Sequence, residues 1–414
     1  MAPSGHPDAH PAATVHLGVT MRSPTAASVD VMARTPRRGG RPAADRVDGA
    51  QRVLLHVGLP GAETRSVDAA LLTHRKELRE TGLLYAGGKD RMRRAAVDVR
   101  GSGDDRALEE ARGSWDDLCA RAREHDGVSV IGHEDLGATS ARRITAAMSL
   151  LRGLDVHVVL TVRDPARQVV QAWQEGVLRG SALTFAEYHR DVLDHRSQSE
   201  AARRFRAAHD LPDVLGRWGR AVPDDHVHVV TCPAPGEPAD AAWRRFADLT
   251  GVDADRFALP PGSGGPPLGT DGTDLVRRVN LAGGRRTGSP DRPAWPASLG
   301  ADRSSAPVCP PESYDDLVVV AERWAKEVDR AGCTVHGDLA DLVPVASPGR
   351  TRHPDYADAR AQVDLAAAGI ADLLTQLEDQ RADNARLADE ATRQRKRRKQ
   401  LKRRLREVTD ADEA

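Results

Sequence analysis

Short runs of apolar residues alternate along the chain with segments in which apolar residues recur every three or four positions. The first run, RVLLHV, occupies residues 52–57 and meets Gly58 and Pro60, which is typical of a buried strand that ends in a turn. Three further runs lie at residues 128–131, 156–162 and 227–230. Strands that alternate with helices predict an α/β fold, a three-layer sandwich in which helices cover both faces of a central parallel sheet.

Segments with helical spacing separate these runs. The spacing predicts helices over residues 66–81 and 141–151, and a longer one over residues 314–330. In the longer helix the recurring apolar residues are Leu317, Val320, Trp324 and Val328. A last short strand at residues 334–336 completes the predicted core.

Two segments lack this pattern. Residues 1–49 are rich in Pro, Ala, Gly, His and Arg, and a segment of this kind cannot bury enough apolar surface to offset the entropy lost on ordering. We therefore predict a disordered N-terminal segment before a folded domain over residues 50–345. Within that domain, residues 260–311 are dense in Gly, Pro and Ser, which predicts a long surface loop or lid around a helical piece at residues 275–280.

The C-terminal segment, residues 346–414, has the pattern of a long helix from Tyr356 onward. Apolar residues lie near heptad positions at Ile370, Leu373, Leu377, Leu387, Ala391 and Leu401. Asn384 occupies an a position, which a dimer tolerates, whereas Gln380 and Gln394 occupy d positions. A weak coiled coil that mediates self-association and a single solvated helix fit this pattern equally well.

Composition argues against several classes of protein. The formal net charge is −1, so no overall field attracts the chain to nucleic acid or membrane. The strongly basic run RQRKRRKQLKRRLR, residues 393–406, has no aromatic residue to stack on bases, which argues against a dedicated nucleic-acid module. The four cysteines form no CxxC pair, and neither a membrane span nor a signal peptide is indicated. We therefore expect a cytoplasmic protein.

The segment HVGLPGAETR, residues 56–65, joins the first predicted strand to the first predicted helix. In open α/β sheets, unpaired backbone N–H groups and the helix dipole bind anions at this place. The segment matches neither GxGxxG nor GxxxxGK[ST]. A nucleotide kinase or NTPase is therefore not indicated.

HVGLPGAETR resembles the phosphosulfate loop of sulfotransferases, in which a strand runs into a sequence of the Pro-Lys-Thr-Gly-Thr-Thr type. The segment TVRDPARQVVQAWQE, residues 161–175, is similar to the family's second signature, a strand that ends in Arg-Asp before a helix with a serine. Bacterial, especially actinobacterial, sulfotransferase-like proteins have segments that resemble VHVVTCP, WRRFADLTGVD and VHGDLADLVP. Over residues 50–345 the resemblance implies a P-loop-type fold. It also implies transfer of a sulfuryl group from 3′-phosphoadenylyl sulfate to a hydroxyl or amine of a small-molecule or carbohydrate acceptor.

The resemblance implies that the co-substrate is bound by Gly58, Thr64, Arg65, Arg163 and Gln171. The loop departs from the family pattern at most positions. Gly61 stands in place of the lysine, and Ala62 and Arg65 stand in place of threonines. Loss of a cation that faces developing charge typically costs several kcal/mol of transition-state stabilisation. Glu63 replaces a glycine, and its carboxylate either repels a phosphate or serves only as a favourable first-turn residue.

For the residues of the second signature, residues 161–175, both a phosphate-binding role and a structural role remain open. Arg163 follows a buried strand and suits bidentate binding of the co-substrate's 3′-phosphate, but an ion pair with Asp164 or Glu134 fits equally well. Gln171 takes the place of the family's serine and still offers a hydrogen-bond donor. Arg65 either contacts phosphate or faces solvent.

A sulfuryl acceptor must lose a proton, which requires a base near the reacting centre. His133 and Glu134 follow the predicted strand at residues 128–131, whose carboxyl end faces the same cleft as Gly58. A structural hydrogen-bonding pair is the alternative for these two residues, and His56 is predicted to be a buried, hydrogen-bonded residue.

Two functions follow from these observations. One is an active sulfotransferase. The other is a catalytically degenerate relative that acts as a binding or interaction scaffold through its C-terminal helix. The changed loop favours the second on chemical grounds, whereas the resemblance as a whole favours the first.

Overall fold

The computed structural model describes residues 51–238, 240–261, 268–283, 297–345 and 352–412. Over these residues the chain is an α/β protein built on one sheet of six parallel strands. The strands are β1 (Arg52–His56), β2 (Leu83–Tyr85), β3 (Val128–Gly132), β4 (Asp155–Val162), β5 (Val227–Thr231) and β6 (Thr334–His336). They lie in the order β2-β3-β1-β4-β5-β6, so β1 and β4 are central neighbours.

Fourteen α-helices are described along the chain. They are α1 (Ala62–Thr73), α2 (Arg75–Glu80), α3 (Lys89–Arg100), α4 (Asp105–Ala111), α5 (Ser114–Arg123), α6 (Ala141–Ser149), α7 (Pro165–Leu178), α8 (Phe185–Leu193), α9 (Glu200–Ala208), α10 (Leu211–Trp218), α11 (Ala241–Thr250), α12 (Thr270–Gly283), α13 (Tyr314–Arg330) and α14 (Ala359–Asp412). This alternation of strands and helices is the arrangement predicted for a parallel sheet covered by helices.

The apolar pattern located most of these elements. Five of the six strands were predicted, and α13 and β6 have the bounds that the pattern gave. The strand β2, a three-residue segment, was not predicted because so short a run carries no periodicity. The helix predicted over residues 66–81 begins earlier, at Ala62, and is divided at His74 into α1 and α2.

Two apolar clusters form the interior. The larger one surrounds the sheet, and its buried side chains include Leu54, Val158 and Trp218. The smaller one lies between α7, α8, α12 and α13 and includes Trp173, which is fully buried as expected of a core residue. The smaller cluster packs α7 against three other helices and so fixes that helix, which carries the predicted site residue Gln171.

The helix α12 is longer than predicted. Only residues 275–280 had been expected to be helical, within a predicted loop, because the start of α12 is polar. In the structure this polar start is buried, and Gln174 Nε2 donates hydrogen bonds to Leu268 O at 2.8 Å and to Thr273 Oγ1 at 3.0 Å. Burial of polar groups that are hydrogen-bonded is not visible in hydropathy, which explains the difference.

The helix α14 is anchored to the domain only near its start. Leu365 is buried, Gln362 Nε2 donates a hydrogen bond to Asp274 Oδ2 at 2.7 Å, and Asp372 Oδ2 accepts one from Ser298 N at 2.8 Å. From residue 373 to residue 402 nearly every described side chain is exposed. Much of the helix therefore has no partner within the described part of the chain.

Some predictions concern segments outside the described residues. They are the disordered segment at residues 1–49 and, within the predicted loop and the predicted C-terminal region, residues 262–267, 284–296 and 346–351. Among the helices that the structure does describe, none combines the length and the apolar character that a bilayer crossing requires.

Candidate functional site

The predicted site lies where the carboxyl ends of β1, β3 and β4 meet. His56 is fully buried at the end of β1, and its Nε2 lies 2.7 Å from Thr161 Oγ1 on β4. Its Nδ1 lies 3.8 Å from Asp68 Oδ1 and has no hydrogen-bond partner among the described residues, so the predicted buried histidine is hydrogen-bonded through one nitrogen only. Gly58 follows at a point of close approach, since a Cβ there would lie 2.7 Å from Thr64 Oγ1. Gly58 and Thr64 are thus packed together at the start of α1.

The loop between β1 and α1 is closed by hydrogen bonds from within the chain. Thr64 Oγ1 donates a hydrogen bond to Leu59 O at 2.9 Å. Gln168 Nε2 donates one to Pro60 O at 2.9 Å and lies 2.7 Å from His209 Nδ1. Burial lowers the pKa of His209 to about 4, so its ring is neutral near pH 7 and accepts this hydrogen bond. The loop is therefore held by hydrogen bonds from groups of the chain itself.

Arg163 lies directly above this loop. Its guanidinium is buried, and a Cβ on Gly61 would come within 2.9 Å of Arg163 Nη2. The same nitrogen forms an ion pair with Glu63 Oε2. Arg163 thus lies against the loop, and its charge is paired there with Glu63.

The partner of Arg163 differs from both residues that the sequence suggested. Asp164 instead caps α7, where its Oδ1 accepts a hydrogen bond from Arg167 N at 2.9 Å, and its other oxygen pairs with the Arg167 side chain. Glu134 lies with Arg65 on the other side of the loop. Glu63 is the partner because β1 and β4 are adjacent, which brings the first turn of α1 beside the end of β4.

A second group of charges lies beside the loop. Arg65 Nη1 is 3.6 Å from Glu175 Oε1 and 3.8 Å from Glu134 Oε2. Gln171 Nε2 donates a hydrogen bond to Glu175 Oε1 at 2.9 Å. The donors predicted to bind a phosphate, Arg65 and Gln171, therefore both contact the same buried carboxylate, which the sequence had not singled out.

Glu134 has an altered acidity. Burial and the nearby charge of Glu175 raise its pKa to about 7, although Arg65 acts in the opposite direction. A carboxyl group with this pKa exchanges its proton near neutral pH, as a general base must. Perturbed acidity in a cleft is a feature of functional sites, but buried ion-pair networks produce it as well.

His133 has a local structural role. Its Nδ1 accepts a hydrogen bond from Asp135 N at 3.1 Å and caps the 3₁₀ turn Glu134–Ala138. Burial lowers the pKa of His133, so that the ring is neutral near pH 7. The structural hydrogen bond considered as an alternative is thus present, although it joins His133 to the backbone of Asp135 and not to Glu134.

The predicted site residues are therefore all brought to one edge of the sheet. Three residues that complete the hydrogen-bond network around the loop were not predicted from the sequence. They are Gln168, Glu175 and His209. A signal was present for Gln168 and Glu175, since they lie three residues before and four residues after Gln171 and so face the same side of α7.

Comparison of the chain with protein-family models, with curated proteins and with solved structures finds no match.

Proposed function

We propose that this chain is a sulfotransferase-like protein of the P-loop type that has lost its catalytic site and acts as a cytoplasmic binding scaffold. The ion pair between Glu63 and Arg163 carries this proposal. In the family that the sequence resembles, the corresponding arginine binds the 3′-phosphate of the co-substrate. In this chain the carboxylate of Glu63 forms an ion pair with that arginine, Arg163.

The pair opposes binding of a nucleotide phosphate for an energetic reason. A phosphate that reached Arg163 would have to displace Glu63, whose carboxylate would then remain nearby as a like charge. Removal of one partner from a fully buried ion pair costs about 3–5 kcal/mol. The Glu63 side chain is 22 % exposed, so its displacement from Arg163 costs less than that. The co-substrate would have to recover that free energy from its remaining contacts.

Loss of the loop lysine also argues against sulfuryl transfer by this chain. Gly61 occupies the lysine position, and Arg163 already fills the space beside it. Arg163 is engaged by Glu63, so among the residues that the structure describes no unpaired cation takes the place of the missing lysine beside Gly61. The charge that develops on the leaving group during sulfuryl transfer would therefore lack its usual stabilisation.

The scaffold function is assigned to α14. Ile370, Leu373, Leu377 and Leu387 are between 41 and 58 % exposed on this helix, although they are large apolar residues. Their heptad spacing suits pairing with the same helix of a second copy. We propose self-association through this surface, while the α/β domain carries whatever ligand the scaffold binds.

A second candidate is an active sulfotransferase with Glu134 as general base. The raised pKa of Glu134 beside Arg65 favours it, because such a carboxyl group can accept the proton of an acceptor hydroxyl near neutral pH. This candidate requires 3′-phosphoadenylyl sulfate as co-substrate, a small-molecule or carbohydrate acceptor, and release of Arg163 from Glu63.

Calorimetric titration of the full chain with 3′-phosphoadenosine 5′-phosphate separates the two candidates. We expect no binding in the micromolar range, that is, near about −8 kcal/mol, by either the wild-type chain or the Arg163→Ala variant. Micromolar binding that disappears in Arg163→Ala would contradict the scaffold proposal. It would favour the sulfotransferase candidate, and an assay of sulfuryl transfer to a panel of acceptors would then follow.

A further inference from the structure

A group of histidines lies at the opposite edge of the sheet, away from the loop. Asp155 begins β4, His157 lies two residues further along it, and His226 directly precedes β5. Side chains two residues apart on a strand point to the same face, so Asp155 and His157 lie side by side. The parallel pairing of β4 with β5 brings His226 to the same place.

The separations within this group resemble those of a metal site. Asp155 Oδ1 lies 3.1 Å from His157 Nε2 and 3.5 Å from His226 Nδ1. One ligand atom from each residue lies within 4.8 Å of the others. In a tetrahedral zinc site, bonds of about 2.0–2.1 Å put neighbouring ligand atoms about 3.3–3.4 Å apart. The separation between Asp155 Oδ1 and His157 Nε2 is therefore already close to the one that zinc requires, and His226 Nδ1 lies within reach of both.

Hydrogen bonds connect this group to two more histidines. His157 Nδ1 lies 2.8 Å from His228 Nε2, and His228 Nδ1 lies 3.1 Å from His336 Nε2. A carboxylate only accepts hydrogen bonds, so Asp155 requires the proton of His157 to lie on Nε2. His157 Nδ1 then accepts from His228, which in turn accepts from His336. Every ring in this line carries one proton in a defined position.

We propose that Asp155, His157 and His226 bind one Zn²⁺ ion, with water as a fourth ligand. Two neutral imidazoles and a carboxylate are a ligand set typical of zinc. Asp155 Oδ1 faces the two histidines, while Oδ2 remains 3.2 Å from Arg52 Nε.

Binding requires one ring to turn. His157 and His226 are stacked, with ring centroids 4.1 Å apart and an interplanar angle of 5°. Lone pairs in two parallel planes cannot meet at one ion, because each lies in the plane of its own ring. The His226 side chain is the more exposed of the two, 28 % against 11 % for His157. In the structure His226 Nδ1 donates a hydrogen bond to Val156 O at 3.1 Å. Rotation of the His226 ring out of the stack breaks this hydrogen bond. The ring proton then leaves Nδ1 for solvent while Nε2 takes one up from solvent, which frees the Nδ1 lone pair for the ion and keeps the ring neutral.

Proton positions along the line change when the ion binds. Zinc replaces the proton on His157 Nε2, which leaves to solvent, and the proton of His228 Nε2 moves to His157 Nδ1. The proton of His336 Nε2 moves to His228 Nδ1, and His336 takes up one proton from solvent on Nδ1. One proton is thus released and one is taken up, so each ring remains neutral. His228 becomes the acceptor that orients the zinc ligand.

Titration of the metal-free full chain with ZnCl₂, followed by calorimetry near neutral pH, tests the proposal. We expect one site per chain, with affinity reduced at least about tenfold in His226→Gln and in Asp155→Asn. The matched control is His125→Gln, since His125 lies 3.0 Å from Gly82 O in another part of the fold. Nitrogen-15 NMR of the histidine side chains should show the protonated nitrogen of His157 change from Nε2 to Nδ1.

Three results would overturn the proposal. The first is no binding at zinc concentrations on the order of 100 μM, which is well above the concentrations at which structural and catalytic sites are filled. The second is binding that persists unchanged in His226→Gln. The third is zinc binding without any change in the protonation of the His157 nitrogens. His226 is partly exposed before a strand, so its replacement is compatible with folding, and thermal unfolding of each variant checks this directly.

Discussion

At the scale of single residues, the candidate site contains charges that satisfy one another. Arg163 is paired with Glu63, and Arg65 lies within 4 Å of both Glu134 and Glu175. An anion-binding site requires donors that face an open space, whereas these donors face carboxylates of the same chain. The residue types that suggested phosphate binding are present, but their partners give them a structural role.

Glu134 gives a prediction about stability and pH. Its folded-state pKa, about 7, lies above its usual value of 4.5, so ionisation of this group in the folded state opposes folding. The destabilisation is absent below the usual pKa and grows as the pH rises toward 7. Glu134→Gln should therefore stabilise the protein relative to wild type more at about pH 8 than at about pH 5, by on the order of 1–3 kcal/mol.

Urea unfolding of both proteins at the two pH values measures this difference. The matched control is Glu200→Gln, because Glu200 is an exposed first-turn glutamate whose ion pair is also exposed. An equal effect of Glu134→Gln at the two pH values would show that Glu134 does not have a raised pKa.

At the scale of elements, hydrophobic periodicity accounts for the strands and for α13, because these elements bury regular apolar faces. It accounts poorly for α12, whose buried face is polar and hydrogen-bonded. The same limit applies to α14. Its heptad pattern fits a dimer and a solvated helix equally well, and the structure adds that the apolar positions are exposed.

Self-association through α14 is tested by substitution at heptad positions. We expect the full chain to be a dimer in sedimentation equilibrium, and Leu377→Lys with Leu387→Lys to make it monomeric. Each substitution removes a side chain whose burial contributes about 1.5–3 kcal/mol. Ala382→Lys is the control, since it lies on α14 but outside the a and d positions. A monomeric wild-type chain would contradict this assignment of α14.

At the scale of the whole molecule, the sheet carries a different group of polar residues at each edge. The carboxyl edge contains the closed loop and its ion pairs, and the amino edge contains the histidine line that begins at Asp155. The residues of the first group could be located from the sequence because a strand followed by a turn and a helix marks the carboxyl edge of a parallel sheet, where ligands bind.

The pairing within the site could not be predicted in the same way. Glu63 and Arg163 lie far apart in the sequence, and they meet only because β1 and β4 are adjacent in the sheet. The histidine line has the same origin, since His157, His228 and His336 come from three neighbouring strands. The order of strands in a sheet is a tertiary feature, and the hydropathy pattern of the sequence does not predict it.

We propose that Glu63 closes the anion site because its carboxylate forms an ion pair with Arg163. Replacement of Glu63 by glycine, the residue that the resembled family has there, removes the like charge and frees the guanidinium. A charge-assisted hydrogen bond contributes about 1.5–3 kcal/mol, so affinity for 3′-phosphoadenosine 5′-phosphate should rise at least about tenfold. The control is Glu200→Gly, an exposed first-turn glutamate of α9.

Calorimetric titration of these two full-length variants with the nucleotide is therefore the most direct measurement. If Glu63→Gly is too unstable to fold, Glu63→Gln removes the same charge without adding a glycine to α1, and a rise in its melting temperature on addition of nucleotide serves as the readout. The account predicts binding by the Glu63 variant and none by the control. Equal behaviour of the folded Glu63 variant and the control would contradict the claim that this ion pair closes the site.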